Sequence, residues 1–345
     1  MESISSKYIS GITWAGAIQE HKNLAILPLL SNQAPKAHYI GLNEAIEKDQ
    51  IKITEVDEGG SVPTLIAINQ GSIPILLLQG EEVEGARQNR VFNTTILLKE
   101  HSKTMIPVSC TEAGRWSYMT SRNNINVRDW FSDPVTEDLE SEGSNMPSTD
   151  ESTTMAYAIK ASSYIMPPYM RSTIVNSVSS NLDSRNSYES DQSEVWNRAD
   201  WFSRKADVQS STSAINDVFT EKNETLSEYA DAFHCLPGQQ GALVFLNGKV
   251  QSLDIFSNES AYEGYQEKLI KSYAMEAMVA EESTNQKPSY ELGKSFIQKA
   301  ACSDESRHSS VGIGHDYRLQ GSDLIGSALV HDKEVLQITL LSLSS

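Results

Sequence analysis

The chain has 345 residues, 39% hydrophobic and 21% charged, a composition that supports a substantial core in one large domain or two ordinary ones. A formal net charge of −18 argues against general nucleic-acid binding and against an anionic membrane surface, although a small anionic ligand needs only a few cations. No apolar run approaches the roughly 18–20 residues of a spanning helix, and no signal-peptide pattern opens the chain; with Cys110, Cys235 and Cys302 far apart, the expected setting is reducing and cytoplasmic.

The first third reads as a sheet. Leu24–Leu30, Leu65–Ile68 and Ile73–Leu78 are short apolar runs flanked by Gly, Pro or Asn, as buried strands are. Asn43–Asp49 predicts one or two helical turns capped by Asn43 and leading into the strand Ile51–Val56. Val91–Leu98 and Thr104–Cys110 predict a hairpin around Lys99–Lys103.

Between Asp129 and Ile159 there are eight acidic residues and no Lys or Arg, which predicts a flexible acidic insertion. A helical section follows. Asp191 and Glu194 have capping-box spacing ahead of Val195, Ala199, Phe202 and Ala206. Ile215, Val218, Phe219, Leu226, Tyr229 and Phe233 predict a second helix, ended by Pro237–Gly238. Ala242–Phe245 and Val250–Ile255 predict a hairpin about Asn247–Gly248. Tyr262, Tyr265, Leu269 and Tyr273 predict an amphipathic helix, and Ser309–Ile313, Gly326–Val330 and Val335–Leu341 return to strands. The expected fold is α+β, a mostly antiparallel sheet core with a helical middle and C-terminal strands. Its parts are a β-rich region 1–116, an acidic insertion 117–165, a helical section 166–237, and an α/β region 238–345 completing the same fold.

The functional signal is densest from Gly80 to Trp116. An apolar strand ends at Gly80 and meets Glu81, Glu82 and Glu84 at once. Three carboxylates so close need cations, a metal or solvent. Arg87 and Arg90 can supply the cations, and Gly85 permits the chain to fold back. Glu82 or Glu84 is then a candidate general base or metal ligand; a surface turn with weak salt bridges is the plainer alternative. Gln88, Asn89 and Arg90 together suit a planar polar or anionic ligand. Asn93 and Thr95 give the next strand a polar face. Cys110 beside Arg has the chemistry of a lowered-pKa nucleophile, but its parity with Ile106 and Val108 places it in a core. Glu112 and Arg115 can pair, and Trp116 with Arg115 can stack on a ring. His315, after Gly312-Ile313-Gly314, is a weaker candidate base or ligand. Gly238-Gln239-Gln240-Gly241 can present N–H groups to an anion or be a plain turn.

The stretches LLLQGEEVEGARQNRVFNT and IPVSCTEAGRW resemble the core motif of the ARG- and rhodanese-phosphatase-superfamily-associated protein domain, ARG being ADP-ribosylglycohydrolase. The resemblance extends through SDQSEVW, GQQGALVFLNGKVQSLDIF, KLIKSYAMEA and SVGIGHDYRL, most of the chain; the acidic stretch is an addition to it. It implies an association with ADP-ribose and phosphate-ester chemistry in bacterial conflict or stress systems, and motif positions Glu82, Glu84, Gln88, Asn89, Arg90, Glu112, Arg115 and Trp116. The expected function is binding or hydrolysis of a small anionic, nucleotide-like ligand. Arg90 and Arg115 would hold phosphate, Gln88 and Asn89 its polar edge, and Trp116 would stack. The pattern names no cofactor and no metal. The alternative is a non-catalytic, homo-oligomeric scaffold; a cupin-like metal enzyme fits less well, because the seven histidines are scattered.

Overall fold

The computed structural model describes residues 4–56, 63–85, 88–113, 160–281 and 286–343. Its fold is α+β, and every strand pairing among these residues is antiparallel except Ile40–Gly41 with Ile75–Leu77. The largest sheet runs, edge to edge, through Thr13–Trp14, Leu24–Leu30, Gly241–Leu246, Lys249–Phe256, Glu334–Ser342, Leu324–His331, His315–Gln320 and Asp304–Ser309; Gln19–His21 also pairs with Leu24–Leu30. Strands from both ends of the chain thus share one sheet.

Pro28 shows how local sequence is fitted to this sheet. Its carbonyl accepts from Ala15 N (3.0 Å). In a strand a residue's N–H and C=O point the same way, so the missing donor faces the two short outer strands, where the ladder does not need it. On the far side Asn247 and Gly248, at φ 50° and 76°, make the tight turn that their sequence specifies.

A second sheet carries the Gly80–Trp116 motif, in the order Lys160–Ile165, Glu81–Glu84, Arg90–Phe92, Ser102–Cys110, Thr64–Asn69, Ile51–Glu55. A third, small sheet holds Ile96–Leu98, Ile75–Leu77 and Ile40–Gly41. The expected hairpin of Val91–Leu98 on Thr104–Cys110 is therefore half right. Arg90–Phe92 pairs with Val108–Cys110, but Asn93–Thr95 leaves the sheet and Ile96–Leu98 pairs with Ile75–Leu77 instead. Of the stretch read as an acidic insertion, residues 160–165 form the first strand of the motif sheet, and 117–159 lie outside the described residues.

Helix Pro168–Arg185 begins with Pro at N1, where no intrahelical donor is lost, and stops at Asn186 in the left-handed region. Helix Gln192–Lys205 is capped by Asp191, whose side chain accepts from Ser193 N and Glu194 N. Three sequence expectations change. The stripe from Ile215 to Phe233 is two helices, Ile215–Glu221 and Asn223–Ala232, separated at Lys222. The short helix is Leu42–Glu47, with Asn43 inside it and Gly41 preceding it without a side-chain cap; Leu42 N instead donates to Tyr265 Oη (3.3 Å). Helix Glu259–Val279 is amphipathic only in its first half, where Tyr262 and Tyr265 are buried and Glu263 and Glu267 exposed. Residues 268–277 are all buried, including Lys268, Lys271 and Glu276, because sheets and helices enclose the second half.

Ser309–Ile313 is not a strand: Ser309 ends the strand Asp304–Ser309, and the residues after it form the turn that leads to His315–Gln320. Ile313 N donates to Leu97 O (2.9 Å), and a Cβ on Gly312 would lie 2.1 Å from the same oxygen. Gly312 therefore serves backbone docking. Gly312→Ala is expected to cost about 1–3 kcal/mol, read as a lowered urea midpoint; an unchanged midpoint would show that the turn moves freely.

Candidate functional site

The apolar strand Ile75–Leu77 ends where Gly80, at φ 85°, reverses the chain, with Glu81 N donating to Leu78 O (3.0 Å). A Cβ on Gly80 would meet Arg171 Cγ at 2.9 Å, so glycine is needed for both conformation and space. The three carboxylates that follow part company at once. Glu81 is fully buried and bound by Lys268 Nζ at 2.5 Å. Glu82 is also fully buried, but its partners are hydroxyls: Thr111 Oγ1 at Oε1 and Tyr164 Oη at Oε2. Burial pushes its carboxyl up to about 8; the two hydroxyls act against that shift, and Glu84 and Glu112 add to it. Glu84 is half-buried and is raised by burial, opposed by Lys160 and Lys268.

Strand register then divides the motif. Glu82 stands opposite Val91, and Val91 opposite Ser109; Val83 stands opposite Arg90, and Arg90 opposite Cys110. Facing partners share a side of a sheet. Glu82 and Glu84 therefore lie on one side, toward the helices, and Arg90 and Cys110 on the other. There Gln88 Oε1 accepts from Arg90 Nη1 and from Cys110 Sγ, both at 2.9 Å. Asn89 contributes its carbonyl to Thr111 N (3.2 Å). Gln88, Asn89 and Arg90 are all buried. Burial pushes the Cys110 thiol up to about 11, against the pull of Arg90, so Cys110 is a core residue. Glu112 is buried and near enough to both Glu82 and Cys110 to raise each. Arg87, Arg115 and Trp116 lie outside the described residues.

The polar face of Asn93 and Thr95 proves to be an internal seam. Asn93 accepts from Ser109 Oγ (2.8 Å), and Thr95 Oγ1 donates to Gln337 Oε1 (3.1 Å). His315 contacts Arg307 Nη2 at 2.6 Å at the sheet's edge, and Gln239 and Gln240 use their side chains to tie the turn before Gly241.

On the carboxylate side a pocket of about 330 Å³ opens between strand Lys160–Ile165, the two helices of 215–232 and the long helix. Glu84, Tyr164, Asn216, Asn223 and Lys271 give it polar walls, and Phe219 stacks on Tyr164 with ring centres 3.6 Å apart. Lys271, buried, pairs with the exposed Glu267 at 2.7 Å. Another hollow, about 360 Å³, lies beside Tyr39 and the helix Leu42–Glu47 but has no buried acid in its wall. Tyr164, Asn216 and Lys271 were not singled out from sequence. The one available signal was the pair of lysines in KLIKSYAMEA, which break an otherwise apolar helix face. Among the described residues, no group of three or more His, Cys, Asp or Glu side chains is arranged to hold a metal ion, and no helix is long and apolar enough to cross a membrane.

An α+β protein whose motif turn feeds one buried and one half-buried carboxyl toward a lysine-bearing pocket is the class that fold and site define. The chain belongs to the ARG and Rhodanese-Phosphatase-superfamily-associated Protein domain family, whose model matches residues 14–341. No curated protein and no solved structure matches the chain.

Proposed function

We propose that the pocket beside Tyr164 binds a small anionic, nucleotide-derived ligand of the ADP-ribose kind and promotes its hydrolysis. The observation that carries this is the meeting of Lys271, Asn216, Asn223 and Glu84 in one hollow, with Glu82 immediately behind Tyr164. Lys271 supplies a partly desolvated cation for a phosphate, the amides supply donors and acceptors for a sugar or base edge, and Glu84 is the acid within reach of a bound water. The family's description, with its link to ADP-ribosylglycohydrolases and phosphatases, agrees with that chemistry by association. Glu84 keeps the role of general base. Glu82, buried among hydroxyls, suits the opposite role of holding a proton.

Isothermal titration with ADP-ribose, NAD and nucleotides, with and without Mg²⁺ or Mn²⁺, tests the proposal. ADP-ribose is expected to bind, and Lys271→Ala to weaken it about 10- to 100-fold, the worth of a charge-assisted contact. Absence of heat with every compound would refute it.

A further inference from the structure

Tyr164 Oη lies within hydrogen-bond reach of two acceptors, Glu82 Oε2 and Asn216 Oδ1 (3.1 Å), yet has one proton to give. Glu82 Oε1 already accepts from Thr111. With Glu82 ionised, both contacts are filled only if the Asn216 amide turns over, so that its Nδ2 donates to Tyr164 Oη and Tyr164 donates to Glu82. With a proton on Glu82 Oε2, every contact is filled: Glu82 donates to Tyr164, and Tyr164 donates to Asn216. The charges around the carboxyl favour the same state. Glu84 on its own strand and Glu112 beyond Cys110 oppose a second negative charge. The lysines of the long helix are engaged elsewhere, Lys268 by Glu81 and Lys271 by Glu267, and Lys160 at the strand's outer end is exposed. Burial acts in the same direction.

The chain from Glu82 through Tyr164 ends at the pocket, since Tyr164 and Asn216 are both in its wall. We propose that Glu82 stores a proton that Tyr164 delivers to the ligand's leaving group, which makes the substrate a nucleotide-derived glycoside bonded through oxygen or nitrogen. This deepens, and rests on, the function proposed above. In the step, the bond from the ribosyl carbon to the leaving atom breaks with its electron pair on that atom. The atom takes the Tyr164 proton as Tyr164 takes that of Glu82. Water gives its oxygen to the carbon and a proton to the Glu84 carboxylate. The products are the free sugar hydroxyl and the protonated leaving group, and exchange of one proton from Glu84 back to Glu82 through solvent restores the start. Two carboxyls held in unlike protonation states are what glycosidic cleavage requires. A leaving group that departs readily as an anion would have no use for the relay.

Two measurements test this, one of them free of any ligand. Infrared difference titration of the whole protein is expected to show a neutral carboxyl band at pH 7 that fades near pH 8 and is missing in Glu82→Gln, an isostere of the protonated acid. No such Glu82-dependent band would overturn the proposal. The second compares hydrolysis of ADP-ribose joined to methanol with ADP-ribose joined to p-nitrophenol. Tyr164→Phe, which keeps the ring against Phe219, is expected to slow the methyl conjugate by about 100-fold or more and the nitrophenyl conjugate by less than about 10-fold. Equal slowing of both would overturn it. Binding of ADP-ribose without turnover of either conjugate by the unaltered protein would overturn the relay and leave the binding function standing. Absence of binding altogether would overturn both.

Discussion

Asp254→Ala is expected to lower the unfolding free energy by about 3–5 kcal/mol, because it strands a buried guanidinium. Arg171 and Asp254 are both fully inaccessible, and Arg171 Nη1 and Nη2 reach the two carboxylate oxygens at 3.0 and 2.6 Å. Tyr273 Oη donates to the same carboxylate (2.7 Å), and Thr339 Oγ1 donates to it (2.6 Å) while accepting from Arg171 Nη2 (2.8 Å). The network pins helix Pro168–Arg185 to the large sheet. Through the long contacts of Gln79 with Arg171 (3.5 Å) it also steadies the turn that aims Glu81–Glu84. Exchanging both partners for apolar residues, as Arg171→Met with Asp254→Leu, is expected to cost less than Asp254→Ala alone, since no charge is then left behind. Urea unfolding measures both. A loss below about 1 kcal/mol in the single variant would show that the site hydrates or repacks.

Glu82→Gln is expected to change how stability depends on pH. The unfolded carboxyl releases its proton near 4.5, whereas the folded one holds it to about 8. Between those values the folded state binds more protons than the unfolded state, so the Glu82 contribution to stability is complete below pH 4.5 and is lost as pH rises. The slope is about 1.4 kcal/mol per pH unit, which accumulates to roughly 4–5 kcal/mol by pH 8 and then levels off. Glu276 contributes in the same sense over a shorter window. It is buried, accepts from Tyr169 N (2.8 Å), and is raised to about 7 by burial against the pull of that N–H and of Arg171. The glutamine variant keeps the Glu276 slope and loses that of Glu82. Relative to the unaltered protein it is expected to gain stability between pH 5 and pH 9, by up to several kcal/mol. Parallel stability curves for the two proteins would contradict this.

What could be read from sequence follows the range of the interactions involved. Leu24–Leu30, the Asn247–Gly248 hairpin and the Asp191 cap depend on neighbours within a few residues, and each appears as the local pattern specifies. The all-round burial of the second half of the long helix is not legible in sequence, because Lys268 and Lys271 look like a solvated face until Glu81 and the pocket are brought to them by a fold spanning almost two hundred residues. The motif marked Glu82 and Glu84 as a pair but gave no hint that Tyr164 and Asn216, 82 and 134 residues beyond Glu82, complete the arrangement. Nor does residue spacing alone reveal that Arg90 faces away from both carboxylates. That depends on pairing between three strands, where a slip of one residue would exchange the two faces.

A crystal of the protein soaked with ADP-ribose tests the central claim most directly. The ligand is expected between strand Lys160–Ile165 and the long helix, with a phosphate oxygen on Lys271 Nζ and a ribose or leaving-group oxygen at Tyr164 Oη. Density for the ligand on the Arg90 and Gln88 side of the sheet, or a pocket left empty while the ligand sits elsewhere, would contradict it.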